Sequence, residues 1–431
     1  MRKVIDMEKL RKNTVPEVTI YDAIVVGAGP SGCSCALYLA NAGRKVLLLD
    51  KAIFPREKVC GDAFSGKSIG IARELGLLQK LSDLPHGIVR GLTMVSPDGK
   101  KVEVPFPNAE EMGFAGYTIE RREVDNVFFQ RANEHENIAA IQDFEVDSLE
   151  RTQTGAVCGV GGYSKSPEGN KTAVLYGRIV IGADGAASAV SRLLGHIPQP
   201  MDHISSVVRG YWDGVADLSE NIELFFIDGV LPGYLWIFQM ANGKANVGLG
   251  LLSSDLKKRK PPALLLQEAI AKHPSIAPRF VNAKQDGKIG GWAIPNGSYK
   301  KKNTGDGWIL VGDAASLVDP FSGEGVGNAL SSGKYAALAI LDALDKDSGT
   351  EPLEASALSS YEENVAKFLR PEMKNSYRIQ RLSRHRFLLN LFLGKAADKP
   401  EVREMLVDML GSVEEKEKVV SPWFYLKLLL P

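Results

Sequence analysis

The run Ala23-Ile24-Val25-Val26-Gly27-Ala28-Gly29-Pro30-Ser31-Gly32 constrains this chain more than any other stretch. Ile24, Val25 and Val26 are consecutive and apolar, as in a strand covered on both faces. The glycines then turn the chain into a helix over residues 31–42. Gly27 permits the tight turn, Gly29 lets backbone approach a pyrophosphate, and Gly32 lets the helix lie close on the strand. Pro30 and Ser31 open that helix, whose unpaired N–H groups and positive dipole suit phosphate. Residues 46–49 form the next strand and Asp50 ends it, an acid placed to accept ribose hydroxyls. A 2′-phosphate is disfavoured beside that carboxylate, because like charges would meet. This half therefore suits NAD or the adenosine half of FAD and does not choose between them.

A second glycine-rich segment stands far along the chain. Trp308-Ile309-Leu310-Val311 is a short apolar strand ended by Gly312-Asp313. Asp319-Pro320-Phe321-Ser322-Gly323-Glu324-Gly325 then turns into a helix starting near Val326 and carrying Ala329, Ala336 and Ala339. Glycines here leave room for a bulky planar ligand. A helix N-terminus there stabilises negative charge at N1 and O2 of a reduced flavin. Asp313 can hydrogen-bond ribityl hydroxyls. Two distant segments suited to the two ends of one large cofactor point to FAD.

The 431 residues carry 52 basic and 52 acidic side chains. That balance argues against a nucleic-acid partner. Four cysteines make no disulfide framework, and a reducing, cytoplasmic setting is expected. Cys33 and Cys35 share the first helix and are expected to be packing residues. No metal site is assigned. Residues 1–19 read as a loose polar tail without a secretory h-region. No apolar run reaches membrane-spanning length.

The order of these segments resembles the flavoprotein group that includes p-hydroxybenzoate hydroxylase, flavin-dependent halogenases and geranylgeranyl reductases. Ile181-Gly182-Ala183-Asp184-Gly185 is similar to the group's middle Asp-Gly motif, and Arg121-Arg122-Glu123-Val124-Asp125 to its Arg-x-x-x-Asp segment. Within the group the geranylgeranyl reductase family matches best. Its Pro-x-x-Lys-x-Cys-Gly pattern is met by Pro55-Arg56-Glu57-Lys58-Val59-Cys60-Gly61. The family often has another glycine where this chain has Asp62. Tyr234-Leu235-Trp236-Ile237-Phe238 and Asn246-Val247-Gly248-Leu249-Gly250 resemble its Tyr-x-Trp-x-Phe-Pro-Lys and Val-Gly-x-Gly segments, with Gln239 and Met240 standing for Pro and Lys. The halogenase Trp-x-Trp-x-Ile-Pro signature is absent.

The implied fold is α/β: a Rossmann-like FAD-binding domain with an inserted, mainly antiparallel substrate domain and a helical C-terminal region. The cofactor domain is expected at 20–88, 115–200 and 290–345, the substrate domain at 89–114 and 201–289, and the helical region at 346–431. Residues 89–95 are expected as one strand, 257–280 as mostly helix once past Pro261-Pro262, and 377–393 as a helical segment. Beside the residues of the two glycine segments, cofactor contacts are expected from Lys51, Arg56, Cys60, Gly61, Arg121 and Asp184. Tyr211, Phe225, Trp236, Phe238, Trp292 and Pro295 are expected to line an apolar channel.

The resemblance implies reduction of carbon–carbon double bonds in a hydrophobic prenyl chain on a lipid, diphosphate or quinone. Electrons would come from NAD(P)H or from a reduced ferredoxin-like electron-transfer protein. Cys60 is a candidate to donate the proton or to shape the pocket and support the cofactor, and Lys58 is placed to alter its acidity. A monooxygenase acting on an aromatic or lipid substrate is the alternative on the same scaffold. In the C-terminal region, Arg378, Arg381, Arg384 and Arg386 beside the apolar 387–393 run can approach an anionic membrane surface from the cytoplasmic side, or the segment caps the substrate tunnel or builds a dimer; the 387–393 run and a second apolar run at 423–430 otherwise pack on the body.

Overall fold

The computed structural model describes residues 19–106, 114–165 and 169–411. The loose tail expected at 1–19 and the apolar run at 423–430 lie outside the described residues, apart from Thr19. A six-stranded sheet holds the first core. Its order is Thr304–Gly305, Trp308–Leu310, Val180–Gly182, Ala23–Val26, Val46–Leu49 and Ile138–Ile141. All neighbours pair in parallel except the first two strands. Val25 and Leu48 are wholly buried because helices cover the sheet, as the unbroken apolar runs require. The Pro30–Asn41 helix packs against the late Val326–Lys346 helix, where the Ser34 hydroxyl donates to the Leu330 carbonyl at 2.8 Å. A Cβ on Gly333 would meet the Ser31 carbonyl at 2.2 Å, so glycine sets how closely these helices approach.

A seven-stranded sheet forms the second layer system. Its order is Lys284–Pro295, Ile204–Asp213, Lys244–Leu252, Tyr234–Gln239, Asn221–Phe225, Gly91–Val95 and Lys101–Pro105. Every pair is antiparallel except Asn221–Phe225 with Gly91–Val95, whose long crossover runs through the cofactor domain. Phe225, Ile237, Val247 and Leu249 form a core on one face with Leu266 of the Pro262–Lys272 helix. Leu224, Phe226, Trp236 and Phe238 form another on the opposite face with Leu389, Phe392 and Leu393 of the Arg386–Asp398 helix. Alternation along the strands sorts these side chains.

Three element boundaries differ from the sequence expectation. The strand expected over 89–95 divides at Arg90. Gly87–Val89 joins a small sheet with Gly116–Thr118 and Ala63–Ser65, and Gly91–Val95 starts in the large one. A Cβ on Gly91 would meet the Val104 carbonyl of the neighbouring strand at 2.4 Å, so glycine lets the strand start close against it. The stretch expected as mostly helix past Pro261-Pro262 starts there, at Pro262, but divides into an α-helix over Pro262–Lys272 and a 3₁₀ turn over Ala277–Phe280, because His273-Pro274 interrupt it. The helical segment expected over 377–393 is two helices, Arg370–Ser383 and Arg386–Asp398, with His385 extended between them. That break is tied to the body: the Ser383 hydroxyl donates to the Pro232 carbonyl at 3.1 Å, and Arg384 meets Asp255 at 3.1 Å.

Candidate active site

One cavity of about 1450 Å³ runs from the first glycine turn to the Arg386–Asp398 helix. At its polar end, Gly27 has φ +104°, and a Cβ there would lie 2.4 Å from the Ala183 carbonyl. Gly29 faces the cavity, with Arg56 Nη2 3.4 Å from where its Cβ would be. Asp50 accepts from the Ala28 N–H at 2.7 Å and from the Ala52 N–H at 2.8 Å. The carboxylate expected to meet ribose therefore also fastens the glycine turn. Asp184 accepts from the Ser188 hydroxyl and the Ala189 and Val190 N–H groups, and burial pushes its carboxyl up.

Arg121 opens the Arg121–Asn133 helix and grips Asp125 one turn on, with Nε–Oδ1 at 2.7 Å and Nη2–Oδ2 at 2.9 Å. Arg56 Nη1 shares the same carboxylate at 3.1 Å. Asp125 is fully buried, and both arginines line the cavity. Two guanidinium charges on one carboxylate leave a net positive charge, suited to a diphosphate bridge. The late segment closes the groove from the other side. Asp313, Pro320, Gly323, Gly325 and Val326 line it, and Asp319 Oδ1 holds the turn by accepting from the Phe321 and Ser322 N–H groups.

The Lys58–Asp62 loop crosses the middle of the cavity. From behind, Arg209 donates to the Lys58 and Cys60 carbonyls at 3.1 Å each, and Asn246 donates to the Cys60 carbonyl at 2.9 Å. Asp62 has φ +65°, a left-handed conformation that glycine adopts more easily. Its buried carboxylate accepts from the Tyr211 hydroxyl at 2.6 Å, from Asn246 at 2.7 Å and from the Arg121 N–H at 3.2 Å. Burial pushes this carboxyl up to about 6 against the opposing charge of Arg209. The Cys60 thiol is also raised, by burial first; the charge of the Arg121 guanidinium opposes the shift and that of Asp62 adds to it. The group is a neutral thiol at neutral pH beside the Arg121 charge. Lys58 is pushed down to about 8 by burial, against the charge of Asp313. Its ammonium lies 3.8 Å from the centre of the Trp292 ring.

Beyond the loop the cavity is apolar. Tyr234, Trp236 and Phe238 form a shelf, their adjacent ring centres 6.4 and 6.2 Å apart. Gly250 and Gly248 stand opposite Tyr234 and Trp236 on the neighbouring strand. A Cβ on Gly248 would lie 2.3 Å from the Trp236 ring, so glycine lets the indole lie flat. Trp236 Nε1 donates to Asn246 Oδ1 at 2.8 Å, joining the shelf to the loop clamp.

Of the expected residues, Gly27, Gly29, Pro30, Ser31, Asp50, Lys51, Arg56, Cys60, Gly61, Arg121 and Asp184 meet Asp313, Pro320, Gly323, Gly325 and Val326 around this cavity. Gly32 and Gly312 do not reach it. A Cβ on Gly32 would strike the Gly27 carbonyl at 1.8 Å, and one on Gly312, at φ +58°, would lie 2.8 Å from the Ser31 hydroxyl; both serve close packing. Trp236, Phe238 and Trp292 line the apolar part, whereas Tyr211, Phe225 and Pro295 do not. Tyr211 lies behind the loop on Asp62. Phe225 points into the opposite core, one residue out of phase with Leu224 and Phe226, which do line the cavity. Pro295 pairs with Ile204, and Ile294 takes the wall position. Sequence reasoning missed Asp125, Arg209 and Asn246. Asp125 and Asn246 stood inside quoted motifs; Arg209 carried no local signal.

The sequence matches the FAD binding domain family over residues 20–370. It is 33% identical over 335 residues to a menaquinone reductase of Mycobacterium tuberculosis, covering 75% of this chain and 77% of that protein. It is 30% identical over 410 residues to a digeranylgeranylglycerophospholipid reductase of Methanopyrus kandleri, covering 93% and 96%. In fold it is similar to a geranylgeranyl bacteriochlorophyll reductase-like protein of Thermoplasma acidophilum, with a TM-score of 0.79, 23% identity, and 96% and 98% of the two chains covered. A flavin-dependent brominase shares the fold at a TM-score of 0.75 and 21% identity. The cavity fits the cofactor of that sequence family: a glycine turn in which Gly27 admits no side chain and Gly29 faces the cavity, a net positive arginine pair, and a late helix entrance facing both.

Proposed function

The chain belongs to the FAD binding domain family, and on that premise we propose that it reduces carbon–carbon double bonds in a prenyl chain. The substrate would be a lipid, a prenyl diphosphate or a quinone. One observation carries this reading: a single cavity joins a diphosphate-ready groove to an apolar sleeve, with the Cys60 thiol where they meet. FAD held in this groove would, once reduced, provide hydride chemistry towards one alkene carbon. Gly29, Arg56 and Arg121 hold the diphosphate end, and Asp313 faces the middle of the groove. Trp236, Phe238, Phe226 and Phe392 exclude water and hold an isoprenoid unit against the loop. Cys60 Sγ carries the proton for the other alkene carbon, and the nearby positive charge of Arg121 offsets the charge left on sulfur. Lys58, above Trp292, keeps positive charge near the thiolate.

The relatives named as reductases of menaquinone and of digeranylgeranylglycerophospholipid support this reading. NAD(P)H or a reduced ferredoxin-like protein would reload the flavin. The test is anaerobic. Photoreduced protein is mixed with a prenylated quinone or geranylgeranyl lipid, and flavin absorbance and product mass are followed. Reoxidation without oxygen and a gain of two hydrogens per bond are expected, with one hydrogen drawn from solvent. A product formed only with oxygen and bearing a hydroxyl would instead establish the monooxygenase reading.

A further inference from the structure

The two helices that close the apolar sleeve have an outer face of different chemistry. From Met373 to Phe387 the sequence contains no acidic residue. Its exposed positions include Lys374, Arg378, Arg381, Arg384, Arg386 and Phe387. Phe387 is 66% exposed at the start of the Arg386–Asp398 helix. Ile379, Leu382, Leu388 and Leu389 of the same segment line the cavity. The basic row and the substrate sleeve are therefore two sides of one wall.

Ion pairs tie that wall to its surroundings. Arg384 meets Asp255 at 3.1 Å and Arg386 meets Asp228 at 2.9 Å. Beyond Asp255 the chain turns through Lys257 and Lys258, both exposed, and then Arg259, which donates to the Leu231 carbonyl at 2.6 Å. These contacts bring the 255–260 turn, with its exposed Lys257 and Lys258, beside the helix junction. In a chain of zero formal charge this is a local excess of positive charge with an exposed aromatic ring at its edge. No helix among the described residues is long and apolar enough to cross a membrane. A basic face with a projecting aromatic suits the plane of an anionic bilayer.

We propose that the outer face of the Arg370–Ser383 and Arg386–Asp398 helices docks on an anionic lipid bilayer, with the Phe387 ring entering the interface. The apolar sleeve then lies directly behind the docked wall. The docking needs only the surface, so its failure and the failure of the prenyl-reductase reading are distinguishable.

The full-length, flavin-loaded protein is floated with vesicles of phosphatidylcholine alone and of three parts phosphatidylcholine to one part phosphatidylglycerol. Binding to the anionic vesicles only, weakened by added salt, is expected. Replacing Arg378 and Arg381 together with Ala should weaken that binding about thirtyfold, from about fivefold per basic residue. Phe387→Ser should weaken it too, with salt dependence retained. Unchanged melting temperature and flavin content would establish that both variants fold. Equal binding to neutral vesicles, or anionic binding that survives both variants, would overturn the proposal. So would a wild-type dimer that these substitutions dissociate, since the face would then belong to a second copy.

Discussion

Asp62→Asn tests the reading of the clamp beneath Cys60. Asparagine keeps the shape, tolerates the left-handed backbone at φ +65° and has no proton to exchange. Burial raises the Asp62 carboxyl from its usual 3.8 to about 6. At about 1.4 kcal/mol per unit, that is about 3 kcal/mol of linkage. The folded-state value is raised, so between these pH values the folded state holds the proton more firmly than the unfolded chain. Stability of the native protein from this group is greatest below the lower value and falls as pH rises towards about 6. The variant lacks that fall. The stability of Asp62→Asn relative to the native chain should climb by about 2 kcal/mol between about pH 4.5 and pH 7, then level off. Its amide also turns a donor towards Tyr211 or Asn246, a pH-independent loss of about 1–2 kcal/mol. The slope of the difference, rather than its sign at one pH, carries the test. Urea titrations across this range, followed by tryptophan fluorescence, read it directly. Parallel stability curves for the two proteins would refute a buried, proton-retaining Asp62, and a difference that falls with pH would mean that the carboxylate is net stabilised.

Other perturbations address the cofactor groove and the chemistry. Cys60→Ser should retain FAD and lower turnover about a hundredfold, the usual loss of a positioned proton donor; unchanged turnover would remove the thiol from the mechanism. Gly29→Val, whose branches would face Arg56, should weaken FAD affinity at least about tenfold, read by flavin fluorescence on dilution. Asp125→Ala leaves Arg56 and Arg121 without their shared buried partner and should cost about 3–5 kcal/mol, seen as a large drop in melting temperature. Leu224→Trp narrows the apolar sleeve away from the diphosphate groove. It should raise KM for long prenyl chains with little change for short ones and with flavin content unchanged.

The cofactor end was legible in the sequence because local rules dictate it. A strand, three glycines and a helix follow one another with little freedom, and the Gly27 and Gly32 positions tolerate no side chain. Strand phase was harder. Trp236 and Phe238 share a face by alternation within one strand, but assigning Phe226 rather than Phe225 to that face needed the register with the Tyr234–Gln239 strand. The clamp was less legible still. Arg209 and Asn246 come from separate strands of the second sheet and reach a loop of the first domain, so no spacing along the chain announces them. The break between Ser383 and Arg386 was hidden for a similar reason: its anchors are the Pro232 carbonyl and Asp255, far off in sequence.

The parallel sheet has a bearing on how the chain comes into being. Val180–Gly182 sits between Ala23–Val26 and Trp308–Leu310, and the Pro30–Asn41 helix rests against Val326–Lys346. During synthesis, the flavin groove thus lacks a wall until the ribosome has delivered roughly the first three quarters of the protein, and one flank of the Val180–Gly182 strand stays unpaired meanwhile. Such an open flank invites mispairing, and closing so distant a contact is slow. A product stopped near residue 300 would lack both the wall and the means to hold flavin, so loading must follow translation of the late helix, and premature release should end in aggregation rather than in a smaller working enzyme.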